Sequence, residues 1–375
     1  MPKLRVGVLF GGRSGEHEVS LMSAASIMRT LSSAGYEVVP IAINKEGRWL
    51  LPADSEQALR GVLEAGSLPV AMLPEPGRAG LVKTGGPGRA LEPAARLDVV
   101  FPALHGTYGE DGAIQGLLEM ADVPYVGAGV LGSAVGMDKD VQKRLFRQAG
   151  IPVLDFAMYL RSEFEREPDR VMDQIERRPG YPCFVKPCNL GSSVGVSKAK
   201  DRSGLEAALK DAAMYDRKLL VEQAAVDAHE VECSVLGNDD PIASLPGEIL
   251  PAREFYDYKA KYYDSRSRTE VPARLPAAVI ENIRETAIRC FKATDCAGMA
   301  RVDFFVSRKD HSIFVNEINT IPGFTKISMY PQMWEATGIT YQELLTRLID
   351  LAIERHKDKN RRLTDYRPPE EDFVE

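Results

Sequence analysis

Apolar positions in this 375-residue chain fall into short runs and helix-spaced sets, which predict strands and helices in alternation. Leu4 to Phe10 is an apolar run closed by Gly11 and Gly12, and it reads as a first strand. Val19, Met22, Ala25, Ile27 and Met28 are spaced for one buried face of a following helix, and Tyr36 to Ile43 is the next strand-like run. This opening predicts an open α/β sheet in the first third of the chain. Residues 66–93 hold 11 Gly or Pro in 28 positions, a density that breaks long regular elements and predicts an elongated surface excursion. Leu97–Phe101 and Val123–Val126 read as buried strands, with a helix over 113–120 between them.

The pattern changes near residue 138. A helix is predicted over Lys139–Gln148, stopping at Gly150 before Ile151-Pro152. Strand-like runs at 181–186 and 218–222 bracket a charged helical stretch at 203–214. Strands at 230–237 and 242–249, a Tyr-rich loop at 253–268, a helix at 276–292, a hairpin at 299–319 and a helix near 340–356 follow. The charged tail from His356 is expected to be solvated and mobile. There is no internal repeat.

Composition narrows the class. Hydrophobic residues make up 44% and charged residues 27%, an ordinary globular balance. The net charge of −7 argues against nucleic acid or an anionic membrane surface as partner. No apolar run reaches the roughly 18 residues a membrane span needs. Lys3 and Arg5 precede only a five-residue apolar stretch, Val6 to Phe10, which suits a strand and not a secretory signal. The five cysteines contain no C-x-x-C pair, so reduced thiols are expected in place of disulfides or zinc.

Two segments carry most of the chemistry. In the predicted hairpin, Arg301, Asp303, Glu317 and Asn319 are all odd-numbered, so within each strand they share a face. If the turn leaves Ser307 opposite Ile313, Asp303 faces Glu317 and Arg301 faces Asn319; a one-residue slip would separate the pairs. Carboxylates about 5 Å apart at Cβ need a cation or a raised pKa. Two carboxylates and an amide oxygen suit Mg²⁺ beside nucleotide phosphates, and a salt-bridged sheet face with Arg301 as counter-ion is the alternative. The second segment runs from Phe184 to Val196, where a strand delivers Lys186 into a Gly/Ser loop fit to close over phosphates. It is not a Walker A loop, and a plain hairpin turn is its alternative. Gly127-Ala128-Gly129-Val130-Leu131-Gly132 matches G-x-G-x-x-G but lacks a well-placed acidic residue about 20 positions on, which argues against dinucleotide binding. Glu222, Glu230 and Glu232 are suited to accept from adenine N6 or ribose hydroxyls, or to sit as solvated edge carboxylates.

Seven separated segments, in order, resemble the D-alanine–D-alanine ligases of the ATP-grasp superfamily. They are Gly11 to Ser20 (GGRSGEHEVS), His105 to Gly112 (HGTYGEDG), Met137-Asp138-Lys139, Lys186 to Gly195, Tyr256 to Tyr262 (YDYKAKY), Arg301-Val302-Asp303, and Asn316 to Thr320 with Pro322-Gly323. The resemblance implies an α/β (α+β ATP-grasp) fold. An open α/β N-terminal domain over 1–130 would precede two ATP-grasp subdomains, 131–222 and 223–360, that sandwich the nucleotide, with a tail over 361–375. It implies condensation of two D-alanines with hydrolysis of ATP to ADP and phosphate. A carboxylate is a poor electrophile, so the first D-alanine would be activated as D-alanyl phosphate before the second amine attacks.

The resemblance also implies roles. Asp303, Glu317 and Asn319 look like ligands for two Mg²⁺ or Mn²⁺ ions, with Glu317 bridging. Lys139 and Lys186, with Ser193, look like the nucleotide-phosphate contacts. Glu222 and Glu230 look like the adenine and ribose acceptors, and Gln223 to Ala225 and Phe255 would line the adenine slot; Gln223 stands where many members carry Lys. Glu16 looks like the anion pairing with the first D-alanine's ammonium, with Ser192 and Tyr262 bonded to it. Arg301 and the Gly323 N–H look like stabilisers of the oxyanion and the transferring phosphoryl group, His105 like a substrate-side residue, and Lys261 and Ser328 like holders of the second carboxylate. Tyr262 favours an amine over a hydroxyl nucleophile. The implied protein is a cytoplasmic homodimer of bacterial peptidoglycan synthesis, with D-alanine and ATP as small-molecule partners and no nucleic acid or membrane. A D-alanine–D-lactate ligase, another ATP-grasp carboxylate–amine ligase and an inactive binding protein are the alternatives.

Overall fold

A computed structural model of the chain describes residues 3–53, 66–78, 80–84, 91–250 and 268–363. Phe255, Lys261, Tyr262 and the rest of the Tyr-rich loop up to residue 267, with the tail from residue 364, lie outside the described residues.

The described strands form three sheets. The first contains β1 (Arg5–Gly11), β2 (Glu37–Ile43), β3 (Trp49–Leu51), β4 (Leu68–Met72), β5 (Gly80–Lys83), β6 (Glu92–Arg96) and β7 (Val99–Pro102), ordered β6-β5-β4-β3-β2-β1-β7. β1 pairs in parallel with β2 and β7, and its Val6, Val8, Leu9 and Phe10 are all buried. An inner parallel strand is covered on both faces, which is why its apolar run is continuous. The described parts of 66–93 are not the expected surface excursion. Three short antiparallel strands there extend the sheet and bury Val70, Met72, Leu81 and Val82. Gly and Pro limited strand length without preventing strand pairing. Val123–Val126 forms no strand, only a single bridge from Tyr125 to Val100.

The helix His17–Ser33 packs on β1 with Val19, Ile27 and Met28 buried as expected, but Met22 is exposed, and Ser20, Ser23 and Ala24 are buried as well. The serines can be buried because they are bonded. Ser20 Oγ donates to the Ala103 carbonyl at 2.5 Å and accepts from Gly11 N–H at 2.7 Å.

The second sheet holds β8 (Phe156–Leu160), β9 (Cys183–Pro187), β10 (Ser197–Ala199) and β11 (Lys218–Gln223) in the order β10-β9-β11-β8. The third holds β12 (Ala228–Gly237), β13 (Ile242–Ala243), β14 (Gly247–Leu250), β15 (Arg268–Glu270), β16 (Gly298–Ser307) and β17 (Ile313–Asn319), ordered β15-β14-β12-β16-β17 with β13 beside β12. The expected 242–249 strand is split between β13 and β14, around Pro246, which has no N–H to give. The helix Lys139–Gln148 appears as expected, capped by Asp138, whose carboxylate accepts from the Asp140 and Val141 N–H groups. Gln142 on that helix accepts from Ile318 N–H of β17 at 2.8 Å, so the helix is fastened to the third sheet.

The closing helix Tyr341–Lys359 runs past the expected end. His356 bonds Asp122 at 2.8 Å and is no part of a free tail. Leu344, Leu345, Leu348 and Ile349 of this helix share one core with Val6, Val8 and Phe10 of β1.

Candidate active site

The β16–β17 hairpin places the acidic residues. Asp303 opposes Glu317 and Arg301 opposes Asn319, as the parity argument expects. The turn behind that expectation differs: Val306, not Ser307, opposes Ile313. A bulge between Asp303 and Phe304 absorbs the one-residue difference, leaving Asn316 as the extra residue of β17. Without it Asp303 would oppose Asn316, and Glu317 would point to the other face of the sheet. The burial of β17 carries the same signature: Ile313, Val315 and Ile318 are buried, spaced by two and then by three.

Each carboxylate is matched by a cation. Arg301 makes a two-pronged pair with Asp303, both bonds at 2.7 Å, and a further ion pair with Glu232 at 3.2 Å. Burial works against its charge, but Asp303 and Glu232 hold the guanidinium pKa well above its ordinary value. Lys139 Nζ lies 3.2 Å from Glu317 and donates to the Leu190 carbonyl at 2.9 Å. Burial alone would lower its pKa, and Glu317 more than offsets this. Two opposed carboxylates and the Asn319 amide form a hard-oxygen set that fits Mg²⁺ or Mn²⁺. Among the described residues, no group of three or more His, Cys, Asp or Glu side chains is placed to hold a metal.

The lysine-bearing loop comes from the second sheet. Lys186 on β9 donates to Glu222 of β11 at 2.7 Å and to Asn316 at 3.1 Å, which joins the second sheet to the bulge of the third. Glu222 is 1% exposed and also forms an ion pair with Lys143. Burial alone would raise the Glu222 pKa, but the two ammonium groups outweigh it and hold the carboxyl below its usual range. The expected adenine acceptor is thus found between two lysines. Gln223 is exposed at the end of β11, and Ala225 and Glu230 are half-buried.

A cavity of about 300 Å³ lies where these parts meet the first sheet. Its lining includes Lys139, Arg301, Glu317 and Asn319, with Glu16, His105, Ser192 and Ser193, and Gly323 and Ser328; Lys186 and Asp303 stand behind it. Ser192 donates to Glu16, at the start of the helix His17–Ser33, where the helix dipole favours an anion. Glu16 is cradled by two glycines: a Cβ at Gly106 would stand 2.8 Å from its Oε2, and one at Gly191 would stand 2.7 Å away. His105 bonds Ser23 at 3.1 Å and the Ile321 carbonyl at 3.1 Å, so its ring spans the first sheet's helix and the segment after β17. A carbonyl only accepts, so Nδ1 carries a proton. Ser328 Oγ accepts from the Thr325 N–H at 3.1 Å and precedes the helix Met329–Ala336.

Three members of this constellation, Glu110, Lys143 and Asn316, carry no role expected from the sequence. Glu110 is buried in the cavity wall and accepts from Gly106 N–H at 2.6 Å. Burial, then the charge of Glu16, raises its pKa from 4.5 to about 8. Lys143 follows Lys139 by one helical turn, a spacing that puts both on one face and was readable in the sequence. Glu232, expected as a nucleoside acceptor or a solvated edge carboxylate, follows Glu230 on the same strand face but is buried and paired with Arg301. Asn316 depends on the bulge.

Family models match nearly the whole chain: "D-ala D-ala ligase N-terminus" over residues 5–128 and "D-ala D-ala ligase C-terminus" over residues 145–350. A D-alanine–D-alanine ligase of Heliobacterium modesticaldum is 50% identical over 368 residues, 98% of this chain and 100% of the relative. One of Acetivibrio thermocellus is 49% identical, over 95% of this chain and 97% of the relative. Among solved structures, the D-alanine–D-alanine ligase of Coxiella burnetii superposes with a TM-score of 0.82 at 40% identity, covering 96% of this chain and 97% of that one. The VanG D-Ala:D-Ser ligase of Enterococcus faecalis superposes with a TM-score of 0.83 at 35% identity, covering 94% and 100%.

Proposed function

The chain belongs to the D-alanine–D-alanine ligase family, and on that premise we propose how its residues join two D-alanines at the cost of ATP. The protein is an ATP-dependent, ADP-forming ligase with the ATP-grasp fold. The convergence of Lys139, Arg301, Glu317 and Asn319 on the cavity that also holds the Glu16–Ser192 pair carries the reading of the site.

Glu16 binds the ammonium of the first D-alanine, and the Ser192 hydroxyl and the two flanking glycines set the direction of its carboxylate. Lys139 and Lys186, with Ser193, draw the nucleotide phosphates into line, with Glu222, Gln223, Ala225, Glu230 and Phe255 on the adenosine side. Asp303, Glu317 and Asn319 would hold two Mg²⁺ or Mn²⁺ ions, which neutralise charge on the terminal phosphates when bound. Arg301 leaves Asp303 for the transferring group and stays anchored by Glu232. The D-alanine carboxylate takes the γ-phosphoryl group to give D-alanyl phosphate and ADP. The amine of the second D-alanine, its carboxylate held by Ser328 and Lys261, then attacks the carbonyl carbon. The Gly323 N–H and Arg301 receive the oxyanion, phosphate leaves, and the peptide bond remains. His105 forms a wall of the amino-acid pocket. Tyr262 completes the hydrogen bonding around Glu16 and favours an amine nucleophile.

The product serves peptidoglycan precursor synthesis, and we place the enzyme in the cytoplasm as a homodimer. Among the described residues no helix is long and apolar enough to cross a membrane. The test is ADP release with D-alanine, D-serine and D-lactate in competition, with products identified by mass. Release that requires both divalent ion and D-alanine and yields D-alanyl-D-alanine is expected. Depsipeptide or D-alanyl-D-serine as main product would overturn the substrate assignment, and ADP release without D-alanine would overturn the mechanism.

A further inference from the structure

Lys186 meets the nucleotide in the reading above, yet it sits on a buried carboxylate, Glu222, at 2.7 Å. A buried anion beside a phosphate-binding cation cancels much of its attraction, because charges in the interior are poorly screened. The structure supplies a third charge. Lys143 is fully buried, lies on the helix Lys139–Gln148 one turn beyond Lys139, and pairs with the other oxygen of Glu222. Its side chain is wholly enclosed by protein, whereas Lys186 keeps some exposure, so Lys143 does not reach the reactants itself.

We propose that Lys143 is a positioning residue that acts through Glu222: it takes up the carboxylate's charge, so that Lys186 is held in place by Glu222 yet keeps its positive charge for the nucleotide phosphates. The Lys143–Glu222–Lys186 row then carries one net positive charge. Removing Lys143 leaves a neutral Glu222–Lys186 pair, although Lys186 keeps its geometry. Buried charges are rarely kept without a partner on each side, and two lysines sharing one carboxylate need a reason beyond stability. Attraction of an anion from outside the row is that reason.

The inference rests on Lys186 meeting phosphate, and the experiment separates the two. Binding of Mg²⁺-ADP to the full chain is measured by calorimetry, with circular dichroism to check the fold. Lys186→Gln should weaken binding; unchanged affinity there fails the underlying reading. Lys143→Met should weaken it on the order of 10- to 50-fold, the effect of one unit charge a few ångströms from the phosphates at an intermediate dielectric. Lys143→Arg keeps the charge and should stay within a few-fold of the native protein. The decisive variant is Lys143→Met/Glu222→Gln, which restores one net positive charge and should bind more tightly than Lys143→Met alone. If Lys143→Met does not fold, Lys143→Gln, which keeps a polar group in the buried slot, takes its place in both arms. A folded Lys143 variant with native affinity, or a double variant no better than the single one, overturns the inference.

Discussion

Glu110 shows how one side chain registers the site's charge. Its carboxyl has an ordinary value of 4.5 and is pushed up to about 8 by burial and by the nearby Glu16 anion. The folded state therefore holds a proton that the unfolded chain releases above about pH 4.5, so the group's contribution is complete below that pH and is lost as pH rises to about 8. Glu110→Gln keeps an acceptor for Gly106 N–H and removes the titration. Thermal melts between pH 5 and 8.5 should fall more steeply for the native protein, with the two curves diverging by a few kcal/mol at the alkaline end. Parallel curves would remove Glu110 as the source. Gly191 is constrained sterically: a Cβ there would lie 2.7 Å from Glu16 Oε2. Gly191→Ala should turn Glu16 aside and raise KM for D-alanine by about tenfold at unchanged Tm, roughly the loss of one charge-assisted hydrogen bond. A Michaelis constant equal to the native value would show that Glu16 is not so confined.

At the scale of the element, the β16–β17 hairpin decides whether two acidic residues act together. Glu317→Gln keeps the hydrogen-bonding shape but removes the anion paired with Lys139, and turnover should fall at least about 100-fold while the fold persists. Near-native turnover would remove the metal assignment. The bulge gives a sharper test. Deleting Asn316 removes the extra residue, so Glu317 follows Val315 directly and still opposes Asp303, now in a regular ladder. Activity should survive, reduced only by the lost bond to Lys186, about 1 kcal/mol or a several-fold change in KM for ATP, as in Asn316→Ala. Steady-state kinetics on both variants checks this, and abolished activity in the deletion alone would argue that the bulge does more than set the register. The sequence carried this information in part: the odd-numbered polar residues were legible, and the two-then-three spacing of Ile313, Val315 and Ile318 encodes the bulge. The turn position was not legible, because turn and bulge errors of one residue cancel in the pairing that matters.

At the scale of the whole molecule, the closing helix belongs to the first sheet as much as to the last. Leu344, Leu345, Leu348 and Ile349 are all 0% exposed, in a core shared with β1. Arg355 donates to the Tyr125 carbonyl at 3.0 Å, and His356 bonds Asp122, so segments more than 200 residues apart are clasped. Four buried aliphatic side chains contribute on the order of 6–12 kcal/mol, comparable to the whole stability of a domain. A chain ending at Thr340 should therefore show no cooperative melt by circular dichroism; a native-like transition would mean that the first sheet folds without the helix. His105 joins the same two regions beside the cavity, which couples substrate-pocket geometry to this closure.

The strand–helix–strand opening, the helices over 139–148 and 113–120, the parity of the acidic hairpin residues and the seven family segments are local properties, written in side-chain spacing and composition, and the sequence by itself determined them. The pairing of Lys143 with Glu222, the exposure of Met22 and the burial of a helix expected to end in a free tail were settled only by tertiary structure. Each depends on which surfaces from distant parts of the chain meet. A buried charge or an apolar face acquires its partner only when those surfaces close on one another, and no window of sequence contains both sides of such a contact.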